Sequence, residues 1–141
     1  MRYYVVAVGR IRDAALRATA DEYVKRLRRY THIEERESKD EARLSGAIPE
    51  SARLVALSRT GEVWSSMDLS RWTAHWDQDG RAVALVIGGA DGLPVDLLDR
   101  AERVWSLSAL TFPHELARVI VLEQLYRAFT IRRGEPYHRS G

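Results

Sequence analysis

Cysteine is absent from the 141 residues, and lysine nearly so, with Lys25 and Lys39 set against 20 arginines. Without cysteine there is no disulfide scaffold, no Cys-type zinc site and no thiol nucleophile. No apolar run approaches the roughly 20 residues of a membrane helix. The start, Met1-Arg2-Tyr3-Tyr4-Val5-Val6-Ala7-Val8, lacks a signal-type hydrophobic region with a cleavage site. Repeats and low-complexity stretches are missing too. A soluble cytoplasmic chain is expected, a single domain over residues 1–141, with apolar content of 45% for a core.

The net charge of +2 conceals an uneven distribution. Residues 1–30 carry +5 and 113–141 carry +2, whereas 31–50 carry −3 and 51–112 carry −2. Basic charge gathers at the two ends, mostly as arginine, whose planar fork suits phosphate.

Along the chain, short apolar runs alternate with helical patterns. Tyr3–Val8 reads as a buried strand ending at Gly9, and Asp13 opens a helix to about Tyr30. Thr31–Glu37 reads as a second strand with charged alternate positions, followed by a polar, acidic segment that Pro49 breaks. Arg53–Ser58 is a third strand, expected to stop at a Thr60-Gly61 turn. Ser65-Ser66 offers an N-cap for a helix carrying Leu69, Trp72 and Trp76. Ala82–Ile87 is a fourth strand, and Pro94 starts a short helix to about Ala101. Val104–Leu107 is a fifth strand. Thr111-Phe112-Pro113 leads into a long helix to about Ile131, and Arg132–Gly141 is a polar tail. This alternation predicts an α/β domain with a mostly parallel sheet flanked by helices.

Two strand ends carry the functional signal. In open α/β sheets ligands bind at the carboxyl ends of strands, where glycines admit close approach. Gly88-Gly89-Ala90-Asp91-Gly92 fits that position but is neither a dinucleotide fingerprint nor a P-loop. Taken alone, it reads equally well as a tight structural turn. The segment Ser106–His114 runs from a strand end through small hydroxyl residues to a proline at a helix start. Its free backbone groups suit a flat polar ligand such as a nucleobase. The final helix is apolar nearly all round, which predicts burial on two sides and, in a small domain, a subunit interface.

The residues then resemble a known family. Ile87–Gly92, Ser106-Leu107-Ser108 with Thr111 and Pro113-His114, Ala117-Arg118-Val119, Leu122–Ala128 and Pro136-Tyr137-His138 are similar, in order, to the RlmH type (YbeA-like). These are ribosomal RNA large-subunit pseudouridine N3-methyltransferases of the SPOUT class. Val6–Gly9 and Glu22–Leu27 resemble that family's opening.

The resemblance implies an α/β knot with a deep C-terminal trefoil, a homodimer, and S-adenosylmethionine as methyl donor, with no metal. A threaded chain runs against the general rule for folds and enters solely through the resemblance. By position, Leu57, Gly89, Ser108, Ala109, Leu110, Thr111, Phe112 and Pro113 would line the cofactor. The implied substrate is a pseudouridine of 23S ribosomal RNA on the assembled ribosome. For the chemistry, His138 is the expected base or proton relay, Tyr137 the stacking ring and Arg139 the anion-stabilising cation. Arg118 and His114 are second candidates. The competing expectations are a non-catalytic ribosome- or RNA-binding factor and a SPOUT enzyme acting on transfer RNA.

Three departures stand out. The segment Ser38–Ser51 is short, which predicts a trimmed or missing helix. Leu57–Glu62 lacks the acidic residue and the Gly-Lys pair frequent in the family. Ser140-Gly141 run past its usual ending.

Overall fold

The computed structural model describes residues 1–137. Five strands, β1 (Arg2–Val8), β2 (His32–Ser38), β3 (Arg53–Val63), β4 (Val83–Ile87) and β5 (Arg103–Ser106), form one sheet in the order β2-β1-β4-β3-β5. Every pairing is parallel, with Tyr3 opposite both Ile33 and Val83 and with Arg53 also opposite Val83. The carboxyl ends of all five strands therefore emerge along one edge.

The two-residue period of a strand divides the apolar side chains between two faces. Tyr3, Val5, Ala7, Val55, Val83, Leu85 and Ile87 belong to the larger core, under helices α1 (Ala14–Leu27), α2 (Ser66–Asp77) and α4 (His114–Arg132). Tyr4, Val6, Leu54, Ala84 and Val86 pack on Leu44, Ile48, Ala52 and Leu97, which cover the other face from α3 (Val95–Arg100) and the segment before β3. Tyr3 shows how tightly the larger core is tied. Its ring meets Phe129 edge-on at 5.7 Å while its hydroxyl donates to Asp77 at 3.0 Å.

Helix ends follow their capping chemistry. Asp13 accepts from Leu16 N–H to start α1, and Ser65 and Asp68 form a reciprocal capping box on α2. The first helix ends at Leu27, three residues before the expected Tyr30, because the chain turns there toward β2. The short segment carries two 3₁₀ turns, Glu41–Arg43 and Ser45–Ala47, and no longer helix.

One expectation is corrected. Thr60-Gly61 does not end the third strand: β3 bulges out after Leu57 and rejoins β5, so that Leu57 and Glu62 both face Trp105. Gly61 permits the return, since a Cβ there would lie 2.5 Å from the Val104 carbonyl oxygen. Trp64, just beyond, stacks on Trp105 at 5.3 Å and anchors the extension. The final helix packs between α1 and α2 of the same chain, while Leu116 in its first turn stays 36% exposed. Tyr126 meets Tyr23 and Tyr30 on the α1 side, and Ser66 of α2 donates to Gln124 on the other.

Candidate functional site

A cleft of about 530 Å³ opens at the carboxyl ends of β3, β4 and β5, within the range of small-molecule sites. Three loops build it, and each is fixed by its own sequence.

The loop after β4 is a glycine turn. Gly92 N–H donates to the Gly89 carbonyl at 3.0 Å, and Gly92 takes a positive φ of 79°. A Cβ on Gly88 would sit 2.4 Å from the Gly92 carbonyl carbon, so this turn closes only around glycine. The loop after β5 is held by serines. Ser106 Oγ donates to the Ser108 carbonyl at 3.1 Å, and Ser108 Oγ accepts from Leu110 N–H at 3.0 Å. Pro113 then sets the start of α4 without spending an amide on it, and the helix presents its N-terminal end to the cleft through His114 and Ala117. The third wall is the β3 bulge, where Ser58 and Thr60 hydroxyls meet at 3.0 Å.

Of the eight positions expected around a cofactor, Leu57, Gly89, Ser108, Leu110, Thr111, Phe112 and Pro113 line this cleft. Ala109 lies in the same loop without lining it. Leu110 is 68% exposed, an apolar side chain left open beside the cleft. Ser58, Arg59 and Thr60 also line it and were missed from the sequence, because the segment reads as a turn leading away. The rule that ligands sit at strand ends, applied to β3 as to β4, was the signal for them. His114 is at the cleft, as its place before the helix implied.

Arg118 is not a cleft residue. Its side chain is 3% exposed and spans from α4 to the ends of β1 and β2. Nε donates to Glu35 at 2.9 Å, Nη1 to the Gly9 carbonyl at 3.2 Å and Nη2 to Glu37 at 2.5 Å. Nearby, a Glu115 carboxylate oxygen accepts from Arg12 and Asp13 N–H at 3.0 and 3.2 Å. Both side chains fix where α4 begins, and with it the loop before it.

Tyr137 stands apart from the cleft. Its hydroxyl donates to Glu123 at 3.0 Å and lies 3.1 Å from the Tyr23 hydroxyl. Its ring meets Tyr126 edge-on at 4.7 Å, with the Arg127 guanidinium 4.9 Å from its centre. Glu123 is nine residues along α4 from His114, so this anchor is roughly 13 Å of helix axis from the cleft. Burial, then the contacts with Tyr23 and Glu123, push the Tyr137 phenol well above its ordinary value, so it stays protonated and serves as no base. His138 and Arg139 lie outside the described residues.

The comparisons agree with this geometry. The family model described as predicted SPOUT methyltransferase matches residues 1–138. Proteins named ribosomal RNA large subunit methyltransferase H are similar over nearly their whole length. The one from Paraburkholderia phymatum is 43% identical over 155 residues, covering 99% of both chains. The one from Burkholderia cenocepacia is 42% identical over 156 residues, covering 99% of this chain and 100% of its own. Among solved structures, a probable methylase family protein from Haemophilus influenzae shares the fold. Its TM-score is 0.63 at 11% identity, covering 96% of this chain and 69% of that one. A parallel sheet with its ligand-sized cleft at the strand ends, carried on a sequence matched from end to end, has one reading: this chain belongs to the SPOUT methyltransferase family.

Proposed function

We propose that this protein transfers a methyl group from S-adenosylmethionine to N3 of a pseudouridine in large-subunit ribosomal RNA, on the assembled ribosome in the cytoplasm. The carrying observation is the cleft itself. Three strand-end loops, one of which closes only around glycine, surround a ligand-sized space in a chain 43% identical to a protein named ribosomal RNA large subunit methyltransferase H.

The lining fits the donor. Leu57, Leu110 and Phe112 supply apolar surface for an adenine ring, and the backbone of 106–113, held by the Ser106 and Ser108 hydroxyls, supplies polar groups for its edge. Gly88 and Gly89 let the ligand approach the backbone. When bound, S-adenosylmethionine supplies an electrophilic methyl group on a sulfonium.

The rest of the chemistry falls to the chain and the acceptor. The pseudouridine N3 carries an imide proton and becomes nucleophilic on losing it. In this reading His138 takes that proton, Arg139 stabilises the imide anion, and the cleft aligns the reacting atoms, which is the larger part of the catalysis. Tyr137 is anchored roughly 13 Å along α4 from the cleft of its own chain. The reading therefore includes the homodimer and the knot, with the tail of one protomer serving the cleft of its partner.

The test is transfer of labelled methyl from S-adenosylmethionine to unmodified whole ribosomes, isolated large subunits and transfer RNA in parallel. Label on whole ribosomes alone is expected. Label on transfer RNA instead overturns the substrate. Absence of both label and cofactor binding overturns catalysis, leaving the non-catalytic binding factor.

A further inference from the structure

A second concavity, of about 320 Å³, lies on the α1–α4 side of the molecule, lined by Glu22, Lys25, Arg26, Arg29 and Tyr126. Its charges are unevenly used. Arg26 is committed: Nε donates to Glu22 at 2.8 Å, and the guanidinium lies 5.5 and 5.6 Å from the ring centres of Tyr23 and Tyr126. That bond holds the Glu22 carboxyl below its ordinary value, helped by the fields of Lys25 and Arg29. The side chains of Lys25 and Arg29 are exposed and make no hydrogen bond or ion pair among the described residues. Lys25 lies in the last turn of α1 and Arg29 just past its C-cap, and both line the same groove. The only carboxylate lining the groove is already taken by Arg26, so the positive field is left open. Arg133 lies nearby, 5.1 Å from the centre of the Tyr30 ring, which itself meets Tyr126 at 6.0 Å. The groove also borders the tail, because the Tyr126 ring that lines it touches Tyr137 at 4.7 Å.

We propose that this groove is a phosphate-binding site for the RNA backbone, Lys25 and Arg29 each engaging a phosphate while Arg26, locked on Glu22, Tyr23 and Tyr126, shapes the groove between them. The occupant is RNA because the unpaired charge is concentrated, half of it is arginine, and an aromatic wall accompanies it. This rests on the reading that the substrate is RNA. It goes beyond that reading in placing the strand along the α1–α4 side of the molecule, beside Tyr126 and Tyr137.

The test compares the Lys25→Gln/Arg29→Gln double variant with a Lys39→Gln/Arg43→Gln control, which removes the same charge elsewhere on the surface. Retention of labelled large-subunit ribosomal RNA is measured against salt. Methyl transfer is followed against ribosome concentration, and S-adenosylmethionine binding by calorimetry. The groove variant is expected to bind RNA about tenfold more weakly and to lower the slope of log affinity against log salt by about 1.5. Its loss in transfer should fall on KM for ribosomes, with cofactor affinity kept. Equal loss in the control, or an unchanged slope, overturns the groove whether or not methyl transfer is seen. A lowered slope in an enzyme that methylates no ribosome upholds the groove and overturns the activity reading instead.

Discussion

Arg118 of α4 and Glu35 of β2 are joined by a 2.9 Å bond between Nε and Oε1, and Arg17 of α1 takes the other Glu35 oxygen at 2.5 Å. With Glu37 and the Gly9 carbonyl, this network pins the first turns of α4 against two strand ends. The cleft loop 106–113 runs directly into that helix, so the network sets its position from behind.

Replacing Arg118 by methionine leaves Glu35 and Glu37 without their buried partner. Removing one member of a buried ion pair costs about 3–5 kcal/mol. Arg17 still neutralises Glu35, so a loss near about 3 kcal/mol is expected in urea denaturation. Cofactor affinity, measured where the variant is still folded, should fall as well. A variant with full stability would show that the network is incidental.

The glycine turn gives a sharper test of the cleft. Gly88→Ala places a methyl group 2.4 Å from the Gly92 carbonyl carbon, and backbone has to move to receive it. S-adenosylmethionine binding should weaken at least about tenfold, the equivalent of 1.4 kcal/mol. Gly46→Ala is the control, since nothing lies within 4 Å of its Cβ and its φ is ordinary. Equal affinity in the two variants would remove the turn from the binding site.

How far the sequence alone led can be read from single residues. β1 and β4 were legible because Tyr3–Val8 and Ala82–Ile87 are unbroken apolar runs, and the glycines after Ile87 stop the strand abruptly. The bulge in β3 was hidden: Ser58-Arg59-Thr60-Gly61 has turn composition, and its return to β5 depends on a long-range contact with Val104 that no local pattern records. Arg118 was misread for a related reason. Glu35 and Glu37 look like solvated positions of an edge strand, and only the tertiary fold brings a buried cation to them. The two-sided apolarity of α4 was legible, and α1 and α2 of the same chain pack on its two sides.

Alkaline pH should reveal the buried phenols. Burial, then the 2.8 Å hydrogen bond to Glu135, push the Tyr30 hydroxyl from its ordinary value of 10.0 up to about 12. Tyr3, buried and bonded to Asp77, and Tyr137 move in the same direction. The folded chain thus holds these protons after the unfolded chain has released them. Stability from this source is complete below about pH 10 and is lost as pH rises through about 12. Urea midpoints should be level to about pH 9.5 and then decline, less steeply in Tyr30→Phe. An identical alkaline slope in that variant would contradict the assignment.

The tail makes the last prediction, which also decides whether one protomer completes the other's site. His138→Ala should slow single-turnover methyl transfer by about 10²–10⁴-fold with cofactor affinity unchanged, the range for loss of a general base. Gly88→Ala should be inactive for the separate reason that its cleft is closed. In the proposed homodimer, the two variants mixed and allowed to exchange subunits form heterodimers with one good cleft and one good tail, on different chains. If the tail crosses to the partner, that cleft and that tail meet, and about a quarter of wild-type activity should return. If the tail serves its own cleft, no heterodimer holds an intact site and the mixture stays inactive. The anchoring of Tyr137 on Glu123 and Tyr23, well along α4 from the cleft, favours recovery.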